Sequence, residues 1–270
     1  MRRYEREWWL TDRHVEERIR ASPGLLEDLE KRVRAGDFVQ TKDVYWARPD
    51  GWTPERIGTQ AVALEGAVPP PTTPPTNRPI AAFLLGLPGS GKSSVLKRIV
   101  ENVLSSRGDG AYQTRDADDI RVRLPEYSGG LGSHVVQEEV VDVTYESAPA
   151  LLTLTHHVII DVVGDPVWLP REIEFFASHG YEIVVLCTEL PVDVAIRRAK
   201  LRALESGRHV SVAYLESCAG RPRVALAAAR RGRIPLLLWA VVDTSAPDRL
   251  PRIIEGDPSL GAPGDVVAHW

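Results

Sequence analysis

Residues 86–93 read Gly-Leu-Pro-Gly-Ser-Gly-Lys-Ser and satisfy G-x-x-x-x-G-K-[ST]. The flanks constrain the fold as much as the motif does. Ile80-Ala-Ala-Phe-Leu-Leu85 is a short unbroken apolar run, which suits a parallel strand buried on both faces. From Ser94 to Leu104, apolar residues at 95, 96, 99, 100, 103 and 104 make one face of a helix. Strand, glycine-rich loop and helix in that order build a phosphate cradle. The glycines let backbone N–H groups turn toward phosphate oxygens, and the helix N-terminus adds its positive end. The expected ligand is a nucleoside triphosphate, held by Gly86, Pro88, Gly89, Ser90, Gly91, Lys92, Ser93 and Ser94. Lys92, expected to be exposed in the loop, reaches the β/γ-phosphates; the Ser93 hydroxyl is the candidate ligand for Mg²⁺.

Beyond residue 80, apolar strands alternate with helical patterns. Strands are expected at 80–86, 111–116, 157–163, 182–188 and 235–242, and helices at 92–104, 134–154, 167–179, 191–206 and 211–231. This predicts an α/β protein: a P-loop NTPase fold of three layers, α/β/α, around a mostly parallel five-stranded sheet. In such sheets ligands lie beyond the carboxyl ends of the strands, so functional residues are expected just after each strand.

Six of the twelve residues from Val68 to Pro79 are proline, which excludes a helix interior or a central strand. The stretch reads as a semi-rigid linker. It divides residues 1–67, an N-terminal extension, from a P-loop domain at 80–255, with a Pro- and Gly-rich tail at 256–270. The extension shows helical patterns at 11–20 and at 22–34, the second with Ser22 as N-cap. Asp37 to Trp46 reads as extended with a bend, and Arg48-Pro-Asp-Gly51 as a turn. Trp8, Trp9, Trp46 and Trp52 need burial, so this small region is expected to pack against the following domain.

The 270 residues carry a net charge of -4, so nothing global draws the chain to nucleic acid or to an anionic membrane. No apolar run approaches membrane-spanning length, and the charged start lacks the apolar core of a signal peptide; a soluble cytoplasmic protein is expected. Cys187 and Cys218 make neither a disulfide framework nor a metal site. His156-His157 opens an apolar strand and reads as structural.

Just after the second expected strand comes Arg115-Asp-Ala-Asp-Asp-Ile-Arg121. A carboxylate there can accept the proton of an acceptor hydroxyl, or hold Mg²⁺ through water. It can equally cap the next helix. Arg197, Arg198, Lys200, Arg202 and Arg208 form a basic run, read as a solvated face or as a lid over phosphates; the cradle's need for cations favours the lid. Glu138, Glu139, Asp142 and Glu146 fit an ordinary exposed helix face.

Taken in order, these stretches resemble the zeta-toxin family of P-loop kinases. The P-loop is followed by Asp116-Ala-Asp118 with Pro125 and Tyr127, then by Val158-Ile-Ile-Asp161 and Gly180-Tyr-Glu-Ile-Val-Val185. After these come Pro191 to Arg198, Arg202, and Gly207-Arg-His-Val-Ser211. The likeness covers about residues 80–245. It implies phosphorylation of the 3′-hydroxyl of UDP-N-acetylglucosamine with ATP and Mg²⁺, and a small helical antitoxin as partner. It further implies Asp118 as general base, and Arg198 (or Arg202) and Arg208 on the triphosphate. Glu146 and Asp161 fall at the acceptor, with Asp116 and Arg121 beside them. Where the toxins show Glu-Gly-Thr or Asp-Gly-Thr, this chain has Asp161-Val-Val-Gly164, so Val163 replaces a hydroxyl expected to bond the acceptor.

Two other readings fit the same motif. The spacing Asp118 to Arg121 also matches the Asp-x-x-Arg of 5′-hydroxyl polynucleotide kinases. A nucleotide-dependent binding protein is the third class, although no Asn-Lys-x-Asp base-recognition motif accompanies the loop.

Overall fold

The apolar run at 80–85 forms a strand, β3 (Ile80–Leu85), in which every residue is buried. The computed structural model describes residues 24–47, 51–67, 75, 77–130, 132–146, 156–206, 208–246, 251–258 and 264–265. The chain divides into two compact units: residues 1–68, 116–147 and 196–217 in one, and 69–115, 148–195 and 218–270 in the other.

The second unit is built on the sheet. β3 pairs in parallel with β5 (His157–Val162) on one side and β6 (Glu182–Glu189) on the other, and β6 pairs in parallel with β7 (Leu238–Asp243). β4 (Tyr112–Asp116) lies beyond β5. β8 (Arg252–Gly256) and β9 (Gly264–Asp265) extend the far edge antiparallel, giving the order β4-β5-β3-β6-β7-β8-β9. The five expected strands are present, but the sheet has seven. The two additional strands are short, and one lies in the stretch read as a tail; β8 shows only Ile253 buried between exposed neighbours, too brief a pattern to read as a strand.

Alternation along β3 sends its side chains to two cores. Ile80, Ala82 and Leu84 pack with Leu96, Ile99, Val100 and Leu104 from the helical segment after the loop, and with Val184 and Leu186 of β6. That segment opens as a wide π turn, Lys92–Leu96, and continues as helix α4 (Lys97–Ser106). On the opposite face Phe83 meets Phe176 of helix α7 (Trp168–Ser178) edge to face at 6.0 Å. Burying each of these large side chains stabilises the unit by about 1.5–3 kcal/mol. His157 is structural: its Nδ1 accepts from Ile80 N at 2.9 Å, and its Nε2 lies 3.4 Å from Asp109. Edge strand β4 buries Arg115, whose charge is met by Glu172 of α7.

In the first unit, helix α1 (Leu25–Ala35) ends at Gly36, whose φ of 70° lets its N–H fold back on Val33 O. Residues 41–45 are a short helix, α2 (Thr41–Tyr45), where an extended segment was expected: Gln40 and Asp43 form a reciprocal capping box, local chemistry that outweighs the β-prone composition. Strands β1 (Trp46–Ala47) and β2 (Gly51–Trp52) then pair antiparallel, stacking Trp46 edge-on to Trp52 at 5.3 Å. Helix α3 (Pro54–Ala67) was not expected, because Gly58 and Gly66 dilute its helical pattern. Its Ala63 and Ala67 share a core with Ile120, Leu124, Tyr127, Val136, Val140 and Val143. Arg56 of α3 is buried between Glu139 and Glu126, with four N···O contacts of 2.6–2.8 Å. Burial pulls its pKa down, but the two carboxylates outweigh that and leave it raised.

The expected helix at 211–231 is two helices, α9 (Val212–Ser217) and α10 (Arg221–Arg231), broken where Gly220 takes a φ of 73°. The expected pattern at 134–154 is helix α6 (Gln137–Glu146) as far as the structure describes it. The patterns at 11–20 and the N-cap Ser22, with Trp8 and Trp9 and most of the proline linker, lie outside the described residues. Among the described residues no helix is long and apolar enough to cross a membrane.

Candidate active site

The loop after β3 is shaped by glycine. Gly89 and Gly91 have φ of 80° and 87°, the left-handed region that other residues adopt at a cost. Such turns aim successive N–H groups into one concavity, the geometry of an anion cradle. Gly86 is needed for a different reason. A Cβ there would lie 2.1 Å from Thr188 Oγ1 and 2.5 Å from Ser90 Oγ.

The cradle is braced from behind. Thr188 Oγ1, near the end of β6, lies 2.7 Å from Ser90 Oγ and 3.3 Å from Leu85 O. Thr244 Oγ1, just past β7, donates to Ser90 O at 2.8 Å. Neither threonine was singled out from the sequence. Both sit at carboxyl ends of parallel strands, so the rule that functional residues follow strands was the available signal.

Lys92 is not exposed in the loop, as expected, but buried at the first turn of the helical segment. Its stem runs back under the cradle, and its Nζ donates to Gly86 O at 2.7 Å and Leu87 O at 3.2 Å. The same ammonium stands 3.3 Å from Asp161 Oδ1, while Ser93 Oγ donates to Asp161 Oδ2 at 3.3 Å. Asp161 comes near the end of β5, which is hydrogen-bonded to β3, so adjacent strands deliver it to the loop. The structure thus brings Lys92, Ser93 and Asp161 together. Ser93 and Ser94 are exposed, and Ser94 Oγ donates to Gly91 O at 3.2 Å.

In the other unit a second cluster forms. Asp116 caps helix α5 (Ala117–Arg121) by accepting from Asp118 N at 2.9 Å. That sets Asp118 in the first turn, where its carboxylate is ion-paired through Oδ1 with Arg121 and through Oδ2 with Arg208. Arg121 is held from behind by Gln137 Oε1 at 2.7 Å. Burial pushes the pKa of Arg121 and of Arg208 downward, and Asp116 opposes this in both. Asp116, Asp118, Arg121 and Arg208 are therefore gathered as a set. Arg198 and Arg202 lie half-buried on helix α8 (Val192–Ser206). Glu146 is exposed at the last position of α6, and no described contact joins it to Asp118, Arg121 or Arg208.

The zeta toxin family model matches residues 68–238. The chain belongs to the zeta-toxin family. Solved structures agree at the level of fold. The PezAT toxin-antitoxin system of Streptococcus pneumoniae aligns with this zeta-toxin chain at TM-score 0.50 and 16% identity, over 76% of this chain and 81% of that one. The AvrRxo1-ORF1:AvrRxo1-ORF2 complex with sulphate ions aligns at TM-score 0.59 and 13% identity, over 81% and 76%. The same complex solved with ATP aligns at TM-score 0.56 and 14% identity over the same shares. No curated protein matches the chain. Family and motif together support an ATP-dependent P-loop kinase.

Proposed function

We propose that the protein transfers the γ-phosphoryl group of ATP to a hydroxyl of a small-molecule acceptor, a nucleotide- or sugar-like compound of which UDP-N-acetylglucosamine is the first candidate. The observation that carries this reading is the convergence of Lys92 and Ser93 on Asp161 beside the glycine-shaped loop. The loop N–H groups take up phosphate oxygens, and Lys92 balances charge on the transferring group. The Ser93 hydroxyl and the Asp161 carboxylate are hard oxygen donors that fit Mg²⁺. Mg²⁺, when bound, neutralises charge between the β- and γ-phosphates. Asp161 then serves the metal side of the site rather than the acceptor.

Asp118 is the proposed general base, accepting the acceptor's proton as the new bond forms. Arg208, paired with it, and Arg198 or Arg202 supply guanidinium groups for charge spread over the phosphoryl oxygens. Val163, in place of a threonine hydroxyl, makes the acceptor pocket less polar than the zeta-toxin pattern implies. A small antitoxin protein is the proposed partner, since PezAT is a toxin-antitoxin system and AvrRxo1-ORF1 was solved with ORF2.

A second reading, 5′-hydroxyl polynucleotide kinase, draws on one observation: Asp118 and Arg121, spaced as Asp-x-x-Arg, do pair. Incubation with labelled ATP, Mg²⁺ and a panel of UDP-sugars, nucleotides and 5′-hydroxyl oligonucleotides separates these. A phosphorylated sugar nucleotide or nucleotide is expected. Label transferred only to oligonucleotide selects the second reading, and tight ATP binding without transfer to any acceptor overturns both.

A further inference from the structure

The segment that follows Arg208, the arginine facing Asp118, is bonded from a part of the chain that the family match does not reach. Arg208 is followed by buried His209, and three residues later α9 begins at Val212. The first N–H groups of a helix have no partner inside it and must find one outside. Here they find the Glu30 carboxylate of α1. Val212 N donates to both of its oxygens, at 3.1 and 3.0 Å, and Ala213 N donates to Oε1 at 3.3 Å. His209 Nε2 lies 3.5 Å from Oε2 of the same carboxylate. Glu30 is itself steadied by Arg34 Nε at 3.2 Å, one turn along α1. One carboxylate thus pins residues 209–213 at two points. Charge-assisted bonds of this kind are about twice as strong as neutral ones. The family match begins at residue 68, whereas Glu30 lies in the segment before it.

We propose that Glu30 is a positioning residue for phosphoryl transfer, acting through Arg208. This rests on the proposed roles of Asp118 and Arg208 in that transfer. The two segments on either side of Asp118 are set differently. α5 carries Asp118 with its own cap, Asp116, whereas the segment after Arg208 has a local cap, Ser211 Oγ accepting from Tyr214 N at 3.1 Å, and a second tie from α1 through Glu30. Removing that second tie leaves Arg208 present but poorly placed, and a displacement of about 1 Å at a reacting centre can cost up to ~10²-fold in rate. The N-terminal segment is then part of the catalytic apparatus and not a stabilising appendage alone.

The test uses the full chain, with two readouts: ADP formation from Mg²⁺-ATP with water as the phosphoryl acceptor, and amide hydrogen exchange. Glu30→Ala is expected to lose protection at Val212 and Ala213 and to slow ADP formation roughly 10-fold, with ATP affinity unchanged. Glu30→Gln keeps an acceptor oxygen for Val212 N–H, stays folded, and is expected to fall between wild type and Glu30→Ala. Adding Glu30→Ala to Arg208→Ala is expected to slow the enzyme no further than Arg208→Ala alone. A slow Arg208→Ala with Glu30 variants at wild-type rate, or with the two effects multiplying in the double variant, overturns the positioning role and leaves the site reading standing. Arg208→Ala at wild-type rate overturns the site reading and this inference with it.

Discussion

Lys92 and Asp161 meet at 3.3 Å although they come from the head of a helical segment and from a neighbouring strand. The other oxygen of the same carboxylate accepts from Ser93, so one acidic group ties together the lysine and the hydroxyl that the loop motif presents. If Asp161 serves the metal, Asp161→Asn should raise the Mg²⁺ concentration needed for half-maximal transfer by about 10- to 100-fold, the range seen when groups supporting a metal are lost. Metal titration of the transfer rate checks this. An unchanged Mg²⁺ requirement with a raised acceptor KM returns Asp161 to the acceptor side.

Lys92→Met keeps the buried stem and removes the ammonium. Transfer should fall by about 10²- to 10³-fold, as for a donor aimed at developing charge. Circular dichroism should show an intact fold. A folded variant that turns over ATP at the wild-type rate removes Lys92 from the mechanism.

Gly86→Ala puts a methyl group 2.1 Å from Thr188 Oγ1. The brace on Ser90 must then give way, at a stability cost of about 1–3 kcal/mol, with weaker ATP binding. Thr188→Ala in the same chain relieves the closest contact and should recover part of both losses. Denaturant unfolding and ATP titration on the single and double variants decide it; a double variant no better than Gly86→Ala alone locates the clash elsewhere.

Asp118→Asn retains the shape of the carboxylate but cannot take a proton. Transfer to the acceptor should fall by about 10²- to 10⁴-fold while ATP affinity holds. Should Asp116→Asn abolish transfer and Asp118→Asn spare it, the base is Asp116, and the capping bond that Asp116 makes to Asp118 N is secondary.

Burial, with His209 and Arg32 adding to it, pushes the His134 imidazole down to about 3 from 6.5. The unfolded chain therefore binds this proton first, so the contribution is complete above pH 6.5 and is lost as pH falls toward 3. At pH 5 this single group costs about 2 kcal/mol. His134→Gln should flatten the decline between pH 7.5 and 5. Urea unfolding of both proteins at the two pH values measures it, and identical slopes contradict the assignment.

The strand, loop and helix around residues 80–104 were legible in the sequence because their signals are local. An unbroken apolar run, glycines at fixed spacing and a 3.6-residue period each concern a few neighbouring residues, and β3, the cradle and the following helix appear where they were read. The parallel sheet was legible for the same reason, through alternation of strand and helix. Local chemistry also set the limits of that reading. A capping box made a helix of residues 41–45, and one left-handed glycine split 211–231. The site was a different matter. Asp161 joins Ser93 across 68 residues, Thr188 joins Ser90 across 98, and Glu30 caps Val212 across 182. Such pairs are set by which strands become neighbours and by which helix ends need a partner, and no local pattern encodes either. The sequence by itself determined the strand, the glycine-shaped loop and the helical segment that follows it. The tertiary structure alone decided which carboxylate stands against Lys92 and which holds the segment of Arg208, because side chains distant in sequence meet only once the sheet order and the helix packing have been chosen.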